Sequence, residues 1–322
     1  FLDFESATSP VPLRSGTGPY QPVIFQYSCH TLYEDGRLEH HHWLDRGWRG
    51  GVYHTEQGSG GRGGSDGRNG DGSGGASAGS RDSRGRISDD HDPAGRRDDD
   101  AGHVGDGRGE THMRLVESLL AVPDITHGTI LHYSPFEKQA LKRLWREFSA
   151  VEEGGDSRPL LADQLRSLIA GSAGSPEERF RDMGIWIRDY YYNREMSSGL
   201  GLKEVLYSIL KTSPVLQRLY QKPLTVDGEE VALVQWEQGI LSDPYQLIGG
   251  KNPLVLDGAS AMYAWLHTKS ATCSDRERIR IQKALTRYCF LDTLALVMIC
   301  QHVISLSGRA SGESGEEDLV IR

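Results

Sequence analysis

The sequence predicts an α/β domain with a mixed sheet flanked by helices, and three observations predict it. Near the start, three apolar segments follow one another across short polar turns, as the strands of an antiparallel meander do. After residue 110, strand-like segments alternate with segments whose apolar residues recur three and four positions apart, a pattern typical of parallel strands and helices. Between these parts lies a polar stretch that cannot build a core, so we expect one large domain.

The three segments of the meander are predicted at residues 2–7, 23–33 and 38–44. The turn between the second and third segments is the polar stretch 34–37, which contains a glycine. A further strand is predicted at 129–133. Helices are predicted from apolar spacing and end signals at 113–121, 135–148, 161–170, 179–190, 202–210, 259–266 and 275–304. The region between 210 and 259 is expected to be irregular.

Two segments are too polar to pack and are expected to be disordered. The first is an insert at 57–109 of Gly, Ser, Asp and Arg, and the second is an acidic tail at 308–322. The folded part would then comprise 1–56 and 110–307. Arg-Gly pairs in the insert could contact RNA, but its many Asp residues favour a solvated spacer.

The formal net charge is −9, which argues against a protein that coats nucleic acid by bulk electrostatics. The charge does not exclude a nuclease, because a metal-dependent nuclease gathers carboxylates at its centre. The 4 cysteines include no C-x-x-C pair, which predicts reduced thiols in a soluble intracellular protein and no zinc. The sequence contains no run of 18 apolar residues, so no membrane partner is predicted. The start at Phe1 suggests a piece of a longer chain.

Two carboxylates near the start can bind a cation together. Asp3 and Glu5 are two positions apart in a predicted strand, so both side chains point to the same face. The alternative is an ordinary solvated strand face.

A third carboxylate interrupts an apolar helix stripe. Asp292 follows Ile281, Leu285 and Tyr288 at helical spacing, and a buried carboxylate costs several kcal/mol unless a partner or a metal compensates it. A buried salt bridge is the alternative. Tyr288 lies one turn earlier on the same stripe, where its hydroxyl could reach a water or a metal at Asp292; otherwise it belongs to the core.

The other candidates have stronger structural explanations. Glu137 fits a capping box with Ser134 at the start of a predicted helix, although that helix start follows a strand directly, where α/β proteins often place their sites. His40, His41 and His42 alternate between strand faces and are expected to be exposed. No serine-hydrolase elbow, phosphate-binding loop or H-E-x-x-H motif occurs.

Three motifs in chain order resemble those of the DEDD 3′-5′ exonucleases, which belong to the ribonuclease H-like superfamily. The motifs are Asp3-Phe4-Glu5, the segment from Tyr133 to Glu137, and Tyr288 to Asp292 in the Y-x-x-x-D form. More narrowly, the opening Leu2-Asp3-Phe4-Glu5 resembles the family catalogued as domain of unknown function 2779 (DUF2779). The segments 18–28, 191–192, 201–206, 257–263 and 288–295 also resemble stretches of that family.

The resemblance implies a ribonuclease H-like fold and a nuclease that shortens single-stranded DNA or RNA from its 3′ end. It implies that two Mg²⁺ or Mn²⁺ ions, about 3.5 to 4 Å apart, activate water and stabilise the leaving oxygen. The metal ligands would be Asp3, Glu5, Glu137 and Asp292, with Asp182 in reserve. Glu5 and Tyr288 would take part in catalysis. The candidate phosphate contacts are Lys138, Lys142, Arg143 and Arg287, which could equally be solvated helix faces.

Two other functions are consistent with the sequence. The second motif has Glu137 and Tyr133 where the DEDD pattern commonly has Asp and Asn, which fits a nucleic-acid-binding module that has lost turnover. The other is a structural module, attached to a nuclease domain upstream of Phe1.

Overall fold

Three antiparallel strands form the largest sheet of the computed structural model, which describes residues 1–12, 18–46, 107–150, 157–170, 179–197, 199–250 and 253–310. The strands are β1 (Leu2–Ala7), β2 (Val23–Leu32) and β3 (Leu38–Leu44), and β2 lies in the middle. Residues 33–37 turn the chain between β2 and β3, and Gly36 adopts a φ of 81° there, which glycine accepts without steric cost. The predicted meander is therefore confirmed.

β1 separates two sets of buried side chains. Leu2 and Phe4 pack into one apolar cluster, which also contains the buried apolar residues of the helices between residues 107 and 170. Side chains alternate along a strand, so Asp3 and Glu5 face the other way. Their partners on β2 are Ser28 and Gln26, and the pairing becomes irregular just after Glu5.

A second, smaller sheet contains two parallel strands, β4 (Ile130–His132) and β5 (Phe180–Asp182). β4 contacts β1, but no strand ladder joins the two sheets among the described residues. The mixed α/β class is confirmed, with antiparallel and parallel parts in separate sheets rather than in one continuous sheet. Among the described residues, this half contains the helices α1 (Gly107–Leu120), α2 (Phe136–Ser149) and α3 (Arg158–Ala170).

The predicted helix at 179–190 is wrong in its first turn. Residues 180–182 form β5, and α4 (Met183–Tyr190) starts only afterwards. Asp182 causes this change, because its side chain accepts a hydrogen bond of 3.2 Å from the backbone N–H of Ile185 and so caps the helix.

The second half is mostly helical, and the region expected to be irregular has regular structure. Its helices are α5 (Leu202–Thr212), α6 (Pro214–Tyr220), α7 (Pro244–Gly249), α8 (Gly258–Thr268) and α9 (Asp275–Ala310). Two short hairpins lie between α6 and α7: β6 (Leu224–Val226) with β7 (Glu229–Val231), and β8 (Trp236–Glu237) with β9 (Ile240–Leu241). Their elements are too short to produce a periodic sequence pattern.

α9 is the central helix of the fold. It packs against β1, β2 and four other helices, and its residues 291–299 are all buried. By length and composition, residues Asp275–Ser307 could also cross a membrane, but 67% of the most apolar window is buried inside the fold. Such burial is typical of the core helix of a soluble protein.

The described residues all lie in one compact unit, which comprises residues 1–47 and 104–322. The predicted insert at 57–109 falls outside the described residues except at its end, where α1 has already begun at Gly107. The predicted tail falls outside them from residue 311 onward.

Candidate metal centre

Three carboxylates converge between β1 and α9. Asp3, Glu5 and Asp292 each offer an oxygen that lies within 4.8 Å of the others, and we call these three residues the carboxylate cluster. Glu5 and Asp292 are only 8% and 6% exposed, whereas Asp3 is partly exposed. The face of β1 that carries Asp3 and Glu5 meets the helix stripe that carries Asp292, as the sequence spacing predicted.

Burial and mutual repulsion make the charged forms of these carboxylates unfavourable. Burial is the larger cause, and it raises the pKa of Glu5 to about 8 with a further contribution from Asp292. The pKa of Asp3 is raised well above its usual value by burial and then by Asp292, Glu5 and Glu137. The pKa of Asp292 is raised by burial to about 6. Such a set of oxygen ligands fits a hard divalent cation, whose charge would compensate for the buried carboxylates.

Two side chains that the sequence did not single out complete the cluster. Tyr245, on α7, donates a hydrogen bond of 2.6 Å from its hydroxyl to Oδ1 of Asp292. Lys203, on α5, places its Nζ 4.3 Å from the ring centroid of Tyr245 and 4.6 Å from that of Tyr288. The ammonium of Lys203 also donates to the carbonyl of Leu256 and lowers the pKa of Glu5 and of Asp292.

The sequence gives a partial indication of Lys203 and none of Tyr245. Lys203 lies in the segment 201–206 that resembles the DUF2779 family, but nothing in its spacing connects it with the carboxylates. Tyr245 follows Asp243 and Pro244, which cap and begin the short helix α7, and such a cap carries no signal of function.

Tyr288 lies beside the cluster, as expected, and it is 7% exposed. Burial raises the pKa of its hydroxyl far above the usual value, and the charges of Asp292, Glu5 and Asp3 raise it further. The hydroxyl also lowers the pKa of Asp292, as a hydrogen-bond donor does. A tyrosine in this state donates hydrogen bonds and holds its proton, so it fits an orienting role better than that of a base.

Glu137 lies at the edge of the cluster, and it is buried. It is close enough to Asp3 and Glu5 to raise the pKa of both. Its Oε2 accepts a hydrogen bond of 3.1 Å from the hydroxyl of Ser134 and lies 3.6 Å from Nδ1 of His132. The serine and the glutamate therefore interact, but through their side chains and not in the reciprocal backbone pattern of a capping box.

Asp182, the reserve ligand, has a different position. Its carboxylate caps α4 and lines a cavity of about 770 Å³, which is bounded by β4, β5, α2, α4 and the end of α9. Among the described residues, Asp182 does not belong to the group of carboxylates whose oxygens lie within 4.8 Å of one another.

The four predicted phosphate contacts fall into two groups. Lys138 and Lys142 line the cavity of about 770 Å³ together with Arg181. Arg143 is exposed elsewhere on α2. Arg287 forms ion pairs of 3.1 Å with Asp227 and 2.7 Å with Glu229, so its guanidinium already has two carboxylate partners.

The expectation that the three consecutive histidines are exposed is confirmed for His42 and wrong for His40 and His41, which are half-buried. Nε2 of His40 lies 2.9 Å from the hydroxyl of Ser28, and burial lowers the pKa of His40 to about 3. Its ring stacks on that of His42, with 5.2 Å between centroids. The two rings share one face of the strand, as the alternation requires, and the packing of α9 against that face buries His40.

Residues 1–51 of the chain match the family model described as Domain of unknown function (DUF2779). No curated protein and no solved structure matches the chain. The matched segment contains β1, β2 and β3 and therefore two of the three residues of the carboxylate cluster. The match supports the resemblance to that family for this part of the chain.

Proposed function

We propose that the protein is a metal-dependent 3′-5′ exonuclease of the DEDD type with a ribonuclease H-like fold, acting on single-stranded DNA or RNA ends. The observation that carries this proposal is the convergence of Asp3, Glu5 and Asp292 within 4.8 Å. Asp292 lies at least 287 positions from Asp3 and Glu5 in the sequence, so no local sequence pattern explains why the three carboxylates meet.

The order of the elements supports the same proposal. Asp3 and Glu5 lie on the first strand, Glu137 lies at the helix start that follows β4, and Asp292 lies on the last helix. This is the order of the three DEDD motifs. β4 lies beside β1, so Glu137 approaches Asp3 and Glu5 from the end of a neighbouring strand. The ends of adjacent strands are where α/β folds commonly place their sites.

Each side chain of the cluster has a task in this reaction. Asp3, Glu5 and Asp292 would hold Mg²⁺ or Mn²⁺, with Glu137 beside them. Bound divalent cations supply activation of a water and stabilisation of the charge on the leaving 3′ oxygen. Tyr245 fixes the orientation of Asp292 through its hydrogen bond. Tyr288 donates a hydrogen bond toward the same carboxylate and would orient the attacking water.

The cavity lined by Lys138, Lys142 and Arg181 fits the substrate strand, and we call it the basic groove. In the part of the chain that the structure describes, none of these three cations has a carboxylate partner in an ion pair. Trp186 and Tyr190 line the same groove and are 36% and 79% exposed, so they are available to stack on bases.

The groove and the carboxylate cluster are connected. His132 lines the groove and also lies 3.6 Å from Oε2 of Glu137, which is in electrostatic contact with Asp3 and Glu5. A strand in the groove could therefore deliver its end toward the carboxylates.

The test is the degradation of 5′-labelled single-stranded DNA and RNA with Mg²⁺, Mn²⁺ or EDTA. We expect a metal-dependent ladder that shortens from the 3′ end. Asp292→Asn and Asp3→Ala should abolish it, whereas the matched control Asp163→Asn, on the exposed side of α3, should not. Strand binding by the folded parent without any cleavage would instead favour the binding module.

A further inference from the structure

We propose that His267, Cys273 and Glu277 form a second metal site, which binds zinc and ties α8 to α9. The imidazole, thiol and carboxylate each offer one atom, and these atoms lie within 4.8 Å of one another. We call these residues the zinc clip. It goes beyond the proposed nuclease function, which does not require it and uses none of its residues.

The distances already approach those of a zinc site. Nε2 of His267 lies 3.2 Å from Oε1 of Glu277. Zinc binds such nitrogen and oxygen atoms at about 2.0 to 2.2 Å with tetrahedral geometry, which places the two ligand atoms roughly 3.3 to 3.6 Å apart. The longer Zn–S bond of about 2.3 Å places the sulfur somewhat farther from both. Adjustments of about an ångström are therefore enough to close the site.

The three ligands are held on a rigid turn. His267 lies in the last turn of α8, Cys273 in the connection, and Glu277 in the first turn of α9. The backbone N–H of Ser270 donates to the carbonyl of His267 at 3.0 Å, and the N–H of Cys273 donates to that of Ser270 at 3.2 Å. The hydroxyl of Ser274 accepts from the N–H of Glu277 at 3.3 Å. A ligand set fixed in this way loses little conformational entropy when a metal binds.

The ligand types distinguish this site from the carboxylate cluster. A thiolate and an imidazole favour zinc over Mg²⁺ or Mn²⁺, which prefer oxygen ligands. Cys273 is 3% exposed and lies beneath the site, whereas the side chains of His267 and Glu277 are about half exposed and leave room for a water as fourth ligand. The chain has no C-x-x-C pair, and its sequence therefore argued against zinc. The zinc clip does not need such a pair, because Cys273 supplies one ligand and His267 and Glu277 supply the others.

The clip joins two elements that position the carboxylate cluster. α8 begins at Gly258, where an added Cβ would lie 3.8 Å from Oε2 of Glu5, and α9 carries Asp292. Zinc would therefore stabilise the connection between these helices and act on the cluster only through their position. The competing explanation is a surface ion pair between His267 and Glu277 above an unrelated buried thiol.

Cobalt binding distinguishes these explanations, since Co²⁺ occupies zinc sites and gives an intense near-ultraviolet charge-transfer band only when a thiolate is bound. The full chain, freed of metal with a chelator, is titrated with Co²⁺ and then with Zn²⁺. We expect the intensity of the band at saturation to correspond to one thiolate-bound Co²⁺ per chain, and we expect Zn²⁺ to abolish it. Cys273→Ser should remove the band, and His267→Gln should weaken cobalt binding at least tenfold.

The controls separate the clip from the other thiols and from the nuclease proposal. Cys300→Ser and Cys289→Ser should retain the band, although Cys289 donates a hydrogen bond of 3.4 Å to Asp3 of the carboxylate cluster. Asp292→Asn should also retain it, and the measurement uses no nucleic acid, so an inactive nuclease leaves this test intact. No band in the folded parent, or a band that persists in Cys273→Ser, would overturn the proposal. The circular dichroism spectrum and melting temperature of each variant verify its folding.

Discussion

Replacing Glu5 with Gln is expected to stabilise the metal-free protein at neutral pH. Burial and neighbouring charges raise the pKa of Glu5 from 4.5 to about 8. Between these values the folded protein binds a proton that the unfolded chain has lost. The contribution of Glu5 to stability is therefore complete below pH 4.5 and falls as the pH rises toward 8.

The size of the effect follows from this difference in proton binding. At pH 7 the raised pKa of Glu5 costs the folded state about 3 kcal/mol, and at pH 5 it costs about 1 kcal/mol. Gln has no proton to lose, so the stability of Glu5→Gln relative to the parent should increase by about 2 kcal/mol from pH 5 to pH 7. Comparing two pH values removes the part of the substitution's effect that does not depend on pH.

Urea unfolding in EDTA, followed by tryptophan fluorescence at both pH values, measures this difference. The matched control is Glu117→Gln, an exposed glutamate on α1, whose relative stability should not change between pH 5 and 7. Adding Mn²⁺ at pH 7 should stabilise the parent more than Glu5→Gln, because the cation replaces the proton. A difference between parent and Glu5→Gln that stays constant with pH would refute the reasoning that Glu5 is crowded and buried.

Three further substitutions test the neighbours of the carboxylates and the basic groove. Tyr245→Phe removes the hydrogen bond to Asp292 and should raise the pKa of that carboxyl, so the rise of cleavage with pH should move to higher pH; an unchanged profile would contradict this. Lys203→Met should move the profile in the same direction, because the charge of Lys203 lowers the pKa of both Asp292 and Glu5, and a shift to lower pH would contradict it. Lys142→Ala should weaken the binding of a labelled single-stranded oligonucleotide several-fold by fluorescence anisotropy and reduce its salt dependence, whereas Arg143→Ala, which lies outside the groove, should have little effect. Equal losses for both would argue against the groove.

The sequence predicted those parts of the fold that depend on local patterns. The meander and the long helices follow from apolar alternation and helical spacing, which burial on one face imposes. The strand β5 was missed because three residues are too few to show alternation, and the cap at Asp182 joins it directly to a helix. The short elements between residues 213 and 250 escaped prediction for the same reason.

The carboxylate cluster was predictable because its three members follow simple rules. Asp3 and Glu5 share a strand face, and Asp292 is a carboxylate within an apolar stripe. Lys203 and Tyr245 come from two other helices, and only the tertiary packing of α5 and α7 against α9 brings them to Asp292. A contact of that kind leaves no periodic signal in one sequence.

The most direct test of the central claim is a crystal structure of the protein soaked in Mn²⁺, with anomalous diffraction used to locate the ion. We predict an anomalous peak coordinated by carboxylate oxygens of Asp3, Glu5 and Asp292, and its loss in crystals of Asp292→Asn. Well-ordered crystals that show these three side chains clearly, with no peak among them at saturating Mn²⁺, would contradict the assignment of a metal centre.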